Sequence, residues 1–144
     1  MVRAVAVASL LLPFAALSQA DSFQAEGEIR SFYSSAAFDA DSVRGPSVSV
    51  TREMGGRWVG WLGGRVIDVR EVKSGVRGAN IALYLSREKD RFVVRGYLGS
   101  RTVSISIPDD ARERYQLQWR LLGAAGTKEP PVPQFIFAAL AALG

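Results

Sequence analysis

The chain has 144 residues, an apolar fraction of 48%, 18 basic against 14 acidic side chains, and neither histidine nor cysteine. That composition suits one globular domain; it excludes histidine-based triads, imidazole and thiolate metal sites, thiol nucleophiles and a thioether-linked lipid anchor. Fifteen of the bases are arginine, scattered without a run, so the mild basicity carries no specific nucleic-acid signal.

Residues 1–20 differ in kind from the rest. Arg3 gives a positive start, Ala4 to Leu17 is an apolar run, and Ser18-Gln19-Ala20 is a small-x-small cleavage site, the pattern of a secretory signal peptide. The run is short for a membrane span and Asp21 begins polar sequence at once, so a retained anchor is the weaker reading. A mature chain from Asp21 loses Arg3 and no acid, leaving 17 bases against 14 acids, a net charge near +3. It is expected to be exported, to the periplasm or outside the cell, with no transmembrane span.

Residues 21–122 read as an antiparallel β domain. Glu26 to Tyr33 is a candidate strand, and an internal duplication follows. Gly60-Trp61-Leu62-Gly63-Gly64-Arg65-Val66-Ile67-Asp68-Val69 returns as Gly96-Tyr97-Leu98-Gly99-Ser100-Arg101-Thr102-Val103-Ser104-Ile105, and Val43-Arg44-Gly45-Pro46-Ser47-Val48-Ser49-Val50 returns as Val76-Arg77-Gly78-Ala79-Asn80-Ile81-Ala82-Leu83. The repeats span 42–70 and 75–107. Each is expected to hold three strands: one ending near Val50 or Leu85, one through Trp58 or Val94, and one through Val69 or Ile105. Turns are placed at Gly55-Gly56, Gly63-Gly64, Lys89-Asp90 and Gly99-Ser100, whose residue types suit two-residue hairpin loops.

Such a turn fixes the register. Leu62 falls opposite Arg65, Gly60 opposite Ile67 and Trp58 opposite Val69, and directly opposed residues share a face. The inner face then holds Trp58, Gly60, Ile67 and Val69 in the first copy, and Val94, Gly96, Val103 and Ile105 in the second. Trp61 beside Val66 and Tyr97 beside Thr102 face outward. Glycine opposite a branched residue in both copies predicts a bulky neighbour packed over bare backbone.

Arg114 to Leu122 is a further strand, with Tyr115, Leu117, Trp119 and Leu121 on one face. About eight strands in a meander close most simply as an up-and-down barrel, with a two-sheet sandwich as the rival. Membrane strands are longer and apolar outside, whereas the outward positions here include Asp68, Arg70, Arg95, Ser104 and Ser106. Residues 123–144 form a Gly/Pro-containing linker and a short apolar helix over Gln134 to Leu143, started by Pro133. Its face of Phe135, Ile136, Ala139, Leu140 and Leu143 is expected to cover one end or face of the sheet. Small residues, a spacer and an apolar tail also describe a lipid-anchor attachment signal.

Chemistry-bearing groups are sparse. Asp68 lies on the outer face and its counterpart is Ser104, so the duplication builds no carboxylate pair of the glycosidase kind. Asp109 and Asp110 follow Pro108 in a turn. Asp39-Ala40-Asp41-Ser42 begins like a calcium loop but lacks the later ligands, and is better described as an Asx-rich loop. No cofactor or metal site is expected. The candidate binding residues are Trp61, Tyr97 and Tyr84 with Arg65 and Arg101 on the same hairpins, since exposed aromatics carry much interface energy.

The functional expectation is an exported, non-catalytic β domain that binds a partner or surface through its sheet face, the partner being a protein, glycan or small molecule. The alternatives are a carrier with a small apolar ligand in the barrel, which large inward residues such as Trp58, Val94, Leu117 and Trp119 disfavour, and a carboxylate-type enzyme.

Overall fold

A computed structural model describes residues 26–32, 34–108, 118–122 and 130–144, the segment 118–122 by its backbone alone. Residues 1–25, 33, 109–117 and 123–129 lie outside the described residues, and with them the expected signal peptide, the expected turn at Asp109-Asp110 and most of the expected linker. Eleven strands form one antiparallel sheet. They are β1 (Glu26–Arg30), β2 (Ser35–Phe38), β3 (Ser42–Gly45), β4 (Val48–Glu53), β5 (Arg57–Leu62), β6 (Arg65–Val72), β7 (Gly75–Gly78), β8 (Ile81–Glu88), β9 (Arg91–Leu98), β10 (Arg101–Pro108) and β11 (Gln118–Leu122). One helix, α1 (Val132–Leu143), follows them in the chain.

Strands β1 to β10 run as an uninterrupted up-and-down meander, and β11 pairs with β1. The expectation of an eight-strand closed barrel is corrected on both counts. Each repeat holds four strands rather than three, because Pro46-Ser47 and Ala79-Asn80 are turns. Proline lacks the N–H a central strand needs, so the run through Pro46 breaks there. Ser35–Phe38 adds another strand beside β1. Among the described residues β10 pairs with β9 alone and β11 with β1 alone, leaving the sheet a curled half-barrel. Among the described residues all eleven strands belong to that one sheet, with no second layer to make a sandwich.

The reason for the open curl lies inside it. An eight-strand barrel has room only for side chains or one small ligand, whereas a helix with its side chains is about 10 Å across. Residues 134–142 of α1 are buried on every side. The helix touches strands from β1 to β10: Phe137 lies against Trp58 of β5 with ring centroids 5.8 Å apart, and Phe135 meets Phe92 of β9 edge-on at 5.4 Å. So α1 does not cover an end of the sheet. It is the middle of the core, and only Leu143 of its expected apolar face is exposed.

Hairpin register matches the expectation residue for residue: Leu62 opposite Arg65, Gly60 opposite Ile67, Trp58 opposite Val69, and Tyr97 opposite Thr102. Trp58, Ile67, Val69, Val94 and Val103 are buried on the concave side. The repeats also share hydrogen bonds outside the strand ladders. Gly63 N–H donates to Ser47 C=O at 2.8 Å, and Gly99 N–H to Asn80 C=O at 2.7 Å. Arg52 N–H donates to Asp41 C=O and, 33 positions on, Leu85 N–H to Ser74 C=O, both at 2.8 Å.

Gly60 and Gly96 have φ of 149° and 148°. A Cβ on either would collide with the carbonyl oxygen of Ser49 or Ala82 on the adjoining strand. The close neighbour is therefore strand backbone, not the bulky side chain expected from sequence. The same close approach of two strand backbones thus occurs once per repeat.

The two ends of the half-barrel differ. At the end of the helix N-terminus, the buried Trp58 indole donates to Glu71 Oε1 at 2.8 Å, and Arg52 Nε donates to the same oxygen at 2.8 Å. Gln134 Nε2 donates to the carbonyls of Asp39 and Ala40. At the opposite end Ser31 Oγ donates to Ala142 C=O at 2.7 Å and Ser47 Oγ to Ala141 C=O at 3.3 Å, so serines satisfy carbonyls of the last helical turn.

Candidate binding surfaces

Alternation along each strand decides which side chains a partner can reach. With α1 filling the concave side, the reachable residues are on the convex side and at the two ends. Trp61 on β5 is 43% exposed and stands directly opposite Val66 on β6, which is 78% exposed. Tyr97 on β9 is 44% exposed and Tyr84 on β8 is 37% exposed. Tyr84 is paired with Arg95 and Tyr97 with Ala82, so the two tyrosines are diagonal neighbours on one face.

Trp61 and Tyr97 occupy matching positions of the duplication but not adjoining ones. Four strand spacings separate β5 from β9, roughly 19 Å along the sheet. A lateral row across consecutive strands, Arg57, Arg70, Arg77, Ala82, Tyr97 and Thr102, includes Tyr97 and reaches β5 at Arg57, four residues along the strand from Trp61. On β4, Ser49 stands opposite Trp61 and Thr51 opposite Val59, and both hydroxyls accept hydrogen bonds from Arg44. The convex face is thus a set of separated aromatic platforms with arginines on the strands between them.

The charges on this face are mostly tied. Arg57 binds Asp68 through two hydrogen bonds, Nε to Oδ1 and Nη2 to Oδ2, both 2.9 Å, and also reaches Glu53. That bidentate contact raises the Arg57 pKa and holds the Asp68 carboxyl below its ordinary value. Glu88 is likewise lowered by its hydrogen bond from Arg95. The Arg95–Glu88 contact crosses the row of Val93, and Arg91 donates to Ser106 beside it, which accounts for an outward valine that is only 5% exposed. Arg70 and Arg77 have no acidic hydrogen-bond partner among the described residues and leave the middle of the row positive.

Arg65 and Arg101 are somewhere else. Sharing a face with Leu62 and Leu98, they stand on the concave side at the end where the helix terminates. There they line a cavity of about 310 Å³ together with Ser47, Leu62, Gly63, Leu98, Leu140, Ala141 and Gly144. Sequence reasoning grouped these arginines with Trp61 and Tyr97. The structure divides the five: Trp61 and the Tyr84–Tyr97 pair outside, the two arginines together at the mouth. The opposition of Leu62 and Arg65 already carried that signal.

Asp39 Oδ1 accepts from Asp41 N–H at 2.9 Å and from Ser42 Oγ at 3.0 Å, an Asx turn engaged with its own loop. Among the described residues no group of three or more acidic side chains is arranged to hold a metal ion, and no helix is long and apolar enough to cross a membrane. Comparison with protein-family models, with curated proteins and with solved structures gave no match.

Proposed function

We propose that this is an exported, non-catalytic β domain that binds a partner through the convex face of its sheet, and that the partner is an acidic glycan chain. Export rests on the leader-like residues 1–20. The observation that carries the binding surface is that the concave face is occupied by α1, while Trp61, Tyr84 and Tyr97 stand exposed on the convex one. A carrier of apolar ligands would need the space that Phe135, Ile136 and Phe137 fill.

The chemistry of the face favours a polymer of sugars over a folded protein. Protein interfaces centre on a contiguous, fully desolvated apolar patch. Here the aromatics are spread over four strand spacings with arginines on the strands between them, an arrangement suited to stacking on separate rings of an extended chain. Arg70 and Arg77 in the middle of the row add preference for carboxylate or sulfate groups.

Native electrophoresis through gels containing alginate, with neutral dextran as control, tests this. Alginate should retard the protein, and Trp61→Ser, Tyr84→Ser and Tyr97→Ser should each relieve the retardation with little change in melting temperature. Equal retardation of all three variants would reduce the effect to bulk charge and overturn the reading. A collapse of stability in the variants would instead assign the aromatics to cross-strand packing.

A further inference from the structure

The duplication brings two equivalent arginines to one place. Leu62-Gly63-Gly64-Arg65 and Leu98-Gly99-Ser100-Arg101 are the same hairpin turn in the two repeats. Their strands are four spacings apart along the sheet, yet the curl makes the turns meet at the mouth. A methyl group on Gly99 would lie 2.6 Å from Nη2 of Arg65, so the first repeat's guanidinium rests on the second repeat's turn. Both arginines, both leucines, Leu140 and Ala141 line the cavity of about 310 Å³.

We infer that this mouth is a binding site for a small organic oxyanion, a phosphate or carboxylate bearing a short apolar group. Among the described residues neither guanidinium has an ion pair or hydrogen bond, in contrast to Arg52, Arg57 and Arg95. They are not needed to cap the helix, because Leu140, Ala141 and Ala142 carbonyls accept from Gly144 N–H, Ser47 and Ser31. Two like charges drawn to one cavity repel, and an oxyanion between them removes that repulsion while offering each fork a bidentate partner. The helix C-terminus sets about half a negative charge against the ligand and the carboxylate of Gly144, which also lines the cavity, about one more, which two full positive charges still exceed. Behind the charges Leu62, Leu98 and Leu140 provide an apolar floor. The volume stands at the low end of the roughly 300–1,000 Å³ of ligand pockets, which selects a small free molecule over a long-chain lipid.

Isothermal titration with hexyl phosphate, inorganic phosphate and hexylamine tests the site on the intact protein. Hexyl phosphate should bind saturably, at least tenfold more tightly than inorganic phosphate, and hexylamine should not bind. Arg65→Gln and Arg101→Gln should each weaken hexyl phosphate by roughly tenfold or more, with melting temperatures close to that of the parent. Lys73→Gln, in the turn at the opposite end, should leave binding unchanged. Absence of saturable binding, equal affinity for inorganic phosphate, or a loss in Lys73→Gln as large as in the arginine variants would overturn the inference.

Discussion

Arginine does several different jobs here, and what surrounds each one decides which. Arg57 and Arg95 hold carboxylates on the convex face, Arg87 stacks 5.1 Å from the ring centre of Phe92, and Arg52 shares Glu71 with a buried indole. The lowered pKa values of Asp68 and Glu88 make a prediction about acid. A carboxylate whose folded value lies below its unfolded one adds stability above the unfolded value, and that contribution is lost as pH falls through the folded one. Urea midpoints should therefore fall as the pH is taken below about 4. The combined replacement Asp68→Asn and Glu88→Gln should flatten that acid limb, and high salt should shrink it, since both pairs are exposed. An acid limb of the same depth in the double variant would assign the loss to other carboxylates.

At the level of strands, register was legible from sequence and strand number was not. A two-residue turn at Gly63-Gly64 leaves one possible pairing for Trp58, Gly60 and Leu62, so the face of every side chain on that hairpin follows. The first strand of each repeat misled because Val43 to Val50 and Val76 to Leu83 match so evenly that the short turns within them are easily passed over. Gly60 and Gly96 show what the evenness hides, a close approach to the neighbouring strand's backbone that a side chain forbids. Gly60→Ala should cost about 1–3 kcal/mol for its backbone conformation, with displacement of β4 in addition. Gly64→Ala has open space around its Cβ and a φ of 83°, so it should incur the conformational term alone. Thermal melts of the two variants provide the comparison, and equal losses would mean that the Ser49 carbonyl gives way freely.

For the molecule as a whole, the largest misreading concerned α1. An amphipathic helix was expected, with one face to cover, but Val132–Leu143 has Gln134 as its single polar side chain. A helix apolar all round belongs inside, and that signal was present in the sequence. The meeting of Arg65 with the Gly99 turn was not legible, because it depends on how far the sheet curls, and the curl depends on the helix within it. Phe137→Ala, which removes the ring facing Trp58, should cost about 3–5 kcal/mol, while Leu143→Ala at the exposed end should change stability by under about 0.5 kcal/mol. Denaturant titrations would measure both, and a mild effect at Phe137 would show a pliable interior. The position of α1 also has a meaning in time. It follows every strand in the chain, and Ser31 near the beginning of the sheet bonds to Ala142, 111 residues later. As the chain emerges from a ribosome, the strands appear with nothing to wrap around, and contacts of such long range form late. The sheet therefore waits for its own centre.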